Sequence, residues 1–539
     1  MNDPTQSKTT PLRSEREALF ARLSASTLFD IAVIGGGATG LGVALDAAAR
    51  GLSVVLVESH DFAKGTSSRA TKLLHGGVRY LAQGNISLVR EALHERTVLL
   101  NNAPHLAQPL AFVMPSYAWW EKPFYGIGLK IYDALAGKAG LGQTQLLNTA
   151  QTISAIPNVK RSSLRGGVKY WDGQFDDARL AIAIARTAAQ HGALLLNYFA
   201  ATKLIHTQGK VTGLVCTDAE TGAEHTISTR CVVNAAGVWV DQFRQQDGAV
   251  NGRQVEAMVA PSQGVHMVVD REFLGGDQAL MVPKTADGRV LFAVPWLGKV
   301  ILGTTDTPRN DLAREPHAFE EEIEFILRES ARYLTKAPKR SDIKSIWVGL
   351  RPLVKPQGDE DTSAGGNTKA LSREHTILVS KSGLVTVTGG KWTTYRAMAQ
   401  DVLQRCVNQK LLPESIRKKT GATKHLLLIG AATSAGAQMS ISHSPGAHLY
   451  GSEADLLASL EGHEEVITPG LTAAMVRFAV RYEYARTVED VLARRSRLLF
   501  LDARLAMSVA PRIAQIVQSE TRNDPQLDTF VALACGYVL

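Results

Sequence analysis

The chain has 539 residues, 45% of them hydrophobic and 20% charged, with a formal net charge of +8 and a pI near 9.2. At roughly 150 residues per domain this is enough for two or three globular domains, and the balance excludes a disordered or fibrous polypeptide. The positive charge fits an acidic metabolite or an anionic membrane surface, while no dense Lys/Arg stripe or recognised module argues for nucleic acid.

Residues 1–28 read as a polar extension with a short helix, Ser14 as its N-cap and Glu17 as the capping-box partner. At Phe29 the character changes. Ile31 to Ile34 form an apolar strand, glycines follow, Leu41 to Arg50 make a small-residue helix stopped by Gly51, and Leu52 to Glu58 form a second strand. Such a βαβ unit implies a parallel sheet. Trp119, Trp120 and Tyr125 accompany a helical stripe of Phe124, Ile127, Ile131 and Leu135, flanked by Lys122, Lys130 and Lys138. That stripe suits either a lipid headgroup layer or the protein's own core.

Residues 178–190 read as a helix, 193–198 as a strand, and 212–218 with 226–235 as a small antiparallel excursion. The runs His266–Val269, Val290–Val294 and Val300–Leu302 point to an antiparallel substrate domain, and 356–370 is a polar loop. Residues 430–447 read as a linker and 448–539 as a separate helical domain, leaving 29–429 as a discontinuous nucleotide-binding domain with the substrate domain interleaved. Arg494, Arg495, Arg497 and Arg504 read as a solvated helix face or a lipid contact. Cys216, Cys231, Cys406 and Cys535 are scattered, so neither a metal site nor a disulfide framework is expected. With no apolar run of about 18 residues and no secretory core at the start, a cytoplasmic protein with at most peripheral membrane contact is expected.

Gly35-Gly36-Gly37-Ala38-Thr39-Gly40 contains G-x-G-x-x-G between strand and helix. Gly35 permits the tight turn, Gly37 the approach of a pyrophosphate, and Gly40 close helix–strand packing; the helix N-terminus faces the phosphates. Glu58 closes the second strand 18 residues past Gly40, where a carboxylate accepts ribose hydroxyls, and no neighbouring arginine favours a 2′-phosphate. The fingerprint alone leaves FAD and NAD open. Thr66, Ser67 and Ser68 offer short hydroxyls for a diphosphate and a flavin edge. Asn234 to Gly237 ends a strand in small residues beside a bulky cofactor, and Gly389-Gly390-Lys391 leads into a helix near Thr393 whose N–H groups suit a flavin pyrimidine edge. Together they favour FAD.

The segments Asp61 to Arg69, Thr71 to Leu81, Asn234 to Trp239, Gly303 to Asp306, Gly349 to Leu353 and Gly389 to Arg396 resemble the aerobic, FAD-dependent glycerol-3-phosphate dehydrogenase family. The resemblance covers roughly residues 29–425 and continues more loosely through Glu483 to Thr487 and Leu492 to Arg495. It implies an α/β fold: a doubly wound, Rossmann-like FAD domain, an antiparallel β substrate domain and a C-terminal all-helical domain. For FAD it implies contacts at Gly35, Gly36, Gly37, Gly40, Glu58, Thr66, Ser67, Ser68, His75, Gly76, Gly77, Ala236, Gly237, Gly390, Lys391 and Thr393.

The implied substrate is glycerol 3-phosphate, whose phosphate wants the arginine fork. The likeness points to Arg351 and Arg373 as a phosphate clamp, with Arg79, Tyr80 and Lys391 near substrate and flavin. Oxidation at C2 needs a base for the hydroxyl proton; His266 resembles the position over the flavin, with His75 the competing candidate. Arg351 and Lys391 then stabilise the developing alkoxide. The family implies a membrane quinone as acceptor, consistent with peripheral association on the inner face of the cytoplasmic membrane; a homodimer is left open. The rival readings are a soluble oxidase of the same family that uses oxygen, an amine or amino-acid oxidase, and a non-catalytic flavoprotein.

Overall fold

Two sheets organise the molecule, and each collects strands from separated stretches of chain. The computed structural model describes residues 12–77, 85–250, 252–285, 288–355, 375–432 and 439–539. In the first sheet Phe29–Ile34 lies between Val54–Val57 and Glu224–Asn234, all parallel; Leu194–Leu196 extends one side, and Val385–Gly389 then antiparallel His375–Val379 extend the other. Ile31, Ala32 and Val33 are fully buried, because both faces of the parallel sheet are covered and leave no polar side to alternate with. The small-residue helix begins at Ala38 rather than Leu41 and runs to Ala49. The antiparallel excursion is real, but it also contains Phe199–Thr207, which the alternation did not single out.

The second sheet is antiparallel except where Ala279–Val282 pairs in parallel with Ala107–Pro115. It includes Val259–Asp270, Leu291–Trp296 and Lys299–Gly303, as the apolar runs imply, and also Ala107–Pro115, Gly167–Phe175 and Ser345–Val354. Its register is what positions the chemistry. Val259–Asp270 pairs with Ser345–Val354 so that His266 faces Trp347, Gly264 faces Gly349 and Ser262 faces Arg351. Directly opposed residues share a face and alternate residues return to it. His266 and Arg351 are therefore on one side of the sheet.

Two expectations are corrected, and an open alternative is narrowed. The N-terminal helix spans Arg16–Ala25 behind Glu15 without a side-chain cap, so Ser14 and Glu17 form no capping box. The Ser14 hydroxyl instead donates to Val480 O and accepts from Tyr484 N, tying the extension to the C-terminal helices. On the Glu121–Ala136 helix, Phe124, Ile127 and Ile131 of the stripe are not core, being 65%, 64% and 49% exposed, whereas Leu135 packs against the cluster that holds Tyr132, and the opposite face buries Leu129 and Tyr132. Residues 439–447, read as linker, are bonded to the second sheet through Leu297 N to Ile441 O and Gly298 N to Ser442 O.

The second correction concerns the arginines after residue 493. Neither water nor lipid reaches Arg494, Arg495 or Arg497; all three are buried. Arg494 and Arg495 converge on Asp61, with Arg495 Nη2 at 2.9 Å from Oδ1, and Arg494 also meets Asp490 and Glu489 at 2.7 Å. Burial alone would raise the Asp61 pKa, but Arg495 and Arg494 outweigh it and hold the carboxyl below its ordinary value. Arg497 reaches Asp177 at 3.0 Å and Ser68 O at 2.8 Å. Only Arg504 is exposed. Removing one partner of a buried pair strands the other. Asp61→Asn should therefore lower stability by about 3 kcal/mol, read as a lower denaturant midpoint, whereas Arg504→Ala should shift stability by no more than about 0.5 kcal/mol.

Candidate active site

A cavity of about 1090 Å³ runs between the two sheets, from the glycine turn at one end to the face carrying His266 and Arg351 at the other. That is at the upper end of ordinary ligand pockets. At the first end, Gly35 has φ +106°, and a Cβ there would stand 2.6 Å from Ala235 O; a Cβ on Gly40 would stand 1.9 Å from Gly35 O. Only glycine permits both approaches. Gly37 caps the Ala38–Ala49 helix, Ala38 N donates to Ser67 Oγ at 2.9 Å, and Ala38 and Thr39 of this first turn line the cavity. Glu58 accepts from Gly36 N at 2.7 Å and His60 N at 2.9 Å. This cradle fits a dinucleotide. One point departs from the sequence order: Arg314, remote in the chain, lines the same end as Glu58.

At the other end His266 is 3% exposed, with Nε2 2.9 Å from Thr71 Oγ1 and no partner for Nδ1 among the described residues. Its ring stacks on Trp347 at 5.4 Å between centroids and an interplanar angle of 15°. Burial, then the Lys72 and Arg351 charges, push its pKa well below 6.5. It is therefore neutral at physiological pH. Arg351 donates to Thr305 O at 2.9 Å and to Gln263 O at 3.2 Å, and pairs with Asp306 at 3.1 Å. Lys391 lines the cavity where Val385–Gly389 turns through Gly390 into Trp392–Thr394 and the Tyr395–Asn408 helix.

Gly35, Gly37, Glu58, Thr66, Ser67, His75 and Gly77 line the cavity, as do Ala236, Gly237, Gly390, Lys391 and Thr393. Four expected cofactor residues lie behind the lining. Gly36 and Gly40 shape the turn, and Gly76 N donates to Tyr132 OH at 2.9 Å. Ser68 is turned inward, its hydroxyl toward Gly65 O at 3.5 Å and its carbonyl accepting from Lys72 and Arg497, so it offers no hydroxyl to a diphosphate. Arg79, Tyr80 and Arg373 fall outside the described residues.

Sequence reading missed Lys72, although it stands inside a quoted segment. It is buried, 2.7 Å from Asp177 and 2.8 Å from Ser68 O, with its ammonium 5.2–5.4 Å from the ring centres of Trp296, Trp347 and Phe500. Burial lowers its pKa to about 7, against the pull of Asp177. Nothing local marks a buried lysine; its partners come from four separate stretches of chain.

Residues 30–396 match the family described as FAD dependent oxidoreductase, and residues 421–527 match the C-terminal domain of alpha-glycerophosphate oxidase. The chain is 36% identical over 581 residues to the mitochondrial glycerol-3-phosphate dehydrogenase of Schizosaccharomyces pombe, covering 97% of this chain and 89% of that one. It is 38% identical over 562 residues to the mitochondrial enzyme of Homo sapiens, with 97% and 76% covered. The crystal structure of glycerol-3-phosphate dehydrogenase from Bacillus halodurans, complexed with FAD, matches with a TM-score of 0.76 at 30% identity over 97% of this chain and 98% of that one. L-alpha-glycerophosphate oxidase from Mycoplasma pneumoniae shares the fold, with a TM-score of 0.55 and 17% identity over 70% and 94%.

The cradle makes a direct prediction. Gly40→Ala forces a methyl group against Gly35 O, at a cost of roughly 1–3 kcal/mol or more. The purified variant should carry much less flavin per chain than the native protein, measured by the ratio of visible flavin absorbance to protein absorbance.

Proposed function

The chain belongs to the family of aerobic, FAD-dependent glycerol-3-phosphate dehydrogenases, and on that premise we propose that it oxidises glycerol 3-phosphate to dihydroxyacetone phosphate and passes the electrons to a membrane quinone. The observation that carries the reading is the joining of a dinucleotide cradle, in one cavity, to a buried neutral histidine beside Arg351, with Lys391 in the same lining.

When bound, FAD supplies the acceptor for the hydride leaving C2 of the substrate. The chain's own residues handle the proton and the charge. His266, neutral and with its Nε2 2.9 Å from Thr71 Oγ1 at the cavity lining, is the group that takes up the C2 hydroxyl proton. Arg351, fixed by Asp306 and the Thr305 carbonyl, presents a cation to the substrate's phosphate or alkoxide oxygen. Lys391 adds a second cation from the opposite sheet. As the C2–H and O–H bonds break, the C2 carbonyl forms, and two electrons and one proton leave with the hydride.

The quinone reading is supported by the exposed apolar stripe of Phe124, Ile127 and Ile131, adjoined by Trp119 at 78% and Trp120 at 46% exposure. An amphipathic helix of this kind binds the plane of a bilayer. Among the described residues no helix is long and apolar enough to cross a membrane, so the attachment proposed is peripheral, on the cytoplasmic face.

His266→Asn should slow anaerobic flavin reduction by glycerol 3-phosphate about 100-fold or more with bound FAD unchanged; equal rates would remove His266 from this role. In the native enzyme the imidazole protonates only below its lowered pKa, so the loss of reduction rate caused by this group should come only well below pH 6.5. Phe124→Glu with Ile127→Glu should abolish co-sedimentation with anionic vesicles while turnover with a soluble dye persists. Peroxide formed in step with substrate oxidation, in place of quinone reduction, would reassign the acceptor to oxygen.

A further inference from the structure

The loop that follows Gly303 crosses to the glycine-turn end of the cavity and is pinned there from several sides. Trp239 Nε1 donates to Leu312 O at 3.1 Å, Arg69 pairs with Glu315 at 2.6 Å, and Tyr537 OH donates to the same carboxylate at 3.1 Å. Lys64 adds a longer contact to Glu315 at 3.6 Å. The pins come from the FAD sheet's connections and from the C-terminal helices together.

Between the pins stands Arg314. Its guanidinium lies over the Trp239 ring, 4.2 Å from the centroid. Burial lowers its pKa and the Glu58 carboxylate acts against that. None of its N–H groups meets an acceptor among the described residues. Arg314, Trp239, Glu58 and Gly37 all line one end of the cavity. A guanidinium held over an indole has lost much of its freedom already, and its fork remains matched to phosphate or ribose oxygens. Arg314 is exposed on its outer side, but the Trp239 ring and a loop fastened on both sides of it fix where its guanidinium stands.

We propose that Arg314, held over Trp239, binds the adenosine diphosphate half of FAD and so retains the cofactor from a loop remote from the glycine fingerprint. The fingerprint supplies backbone donors to the pyrophosphate, and Glu58 accepts from a ribose. Arg314 supplies a side-chain cation to this end of the cavity, where Lys64 and Arg69 are already paired with Glu489 and Glu315.

The test uses full-length holoenzyme. Dilution releases FAD, and the gain of free-flavin fluorescence gives its dissociation constant; the visible spectrum of the bound flavin is recorded alongside. Arg314→Ala should raise the dissociation constant about tenfold or more and leave the spectrum unchanged, since the contact is with the adenosine half. Arg314→Lys, which keeps the charge, should recover much of the loss. If Arg314→Ala does not fold, Arg314→Gln against Arg314→Lys makes the same comparison. A dissociation constant within about twofold of native, a loss that Arg314→Lys fails to recover, or an altered flavin spectrum would each overturn the assignment.

Discussion

Three arginines near the end of the chain give up water for buried carboxylates, two of which come from the nucleotide-binding half. Arg494 and Arg495 close on Asp61, and Arg497 on Asp177. Such pairs contribute little net stability compared with well-packed apolar groups, but they tolerate only one arrangement of the partners. The consequence reaches the site. Arg497 and Lys72 share Ser68 O and Asp177, and the Lys72 ammonium stands between Trp296, Trp347 and Phe500. Trp347 stacks on His266. The C-terminal helices thus form part of the wall that keeps the histidine dry, and a dry histidine beside two cations is a neutral one.

How much of this was legible in sequence depends on the range of the interaction that fixes each residue. The glycine turn, its helix and Glu58 were legible because a βαβ unit is local: strand, turn and acid occur within thirty-odd residues and each has its own backbone demand. His266 and Arg351 could be picked as candidates, but that they share a face follows from a strand pairing across more than eighty residues, which no period in either segment reveals. Arg494 to Arg497 were misread for the same reason. A run of arginines on a helix looks solvated until the carboxylates opposite are known, and Asp61 and Asp177 lie more than three hundred residues away. Ser14 failed differently: a cap signature competes with any distant carbonyl that packing brings near, and Val480 O won.

Arg314 belongs with the long-range group. Reading along the chain, no arginine stands beside Glu58, and on that ground alone a 2′-phosphate is disfavoured. The fold does bring an arginine to that end of the cavity, but the carboxylate remains, bonded to Gly36 N, where it would repel a further phosphate on the ribose. An acid for the ribose and a cation for the diphosphate are compatible with one ligand; the two observations sharpen each other.

The Glu121–Ala136 helix joins the outside of the molecule to the cavity by its two faces. Its outer face carries Phe124, Ile127 and Ile131. On its inner face the Tyr132 hydroxyl accepts from Gly76 N at 2.9 Å and donates to Asp172 at 3.1 Å, and Asp172 is held in turn by Arg96 at 2.8 Å. Asp172 and its neighbours Phe112 and Tyr170 line the cavity, the two rings stacked 5.2 Å apart. A buried hydrogen-bonded chain of this kind does not stretch, so the helix cannot shift without moving Gly76 and the cavity wall. Under the function proposed, lipid contact on the outer face would fix the wall that an apolar electron acceptor has to pass. The same amphipathic period that marks a membrane-facing helix therefore also dictates, through the residue half a turn away, where that helix must meet the site.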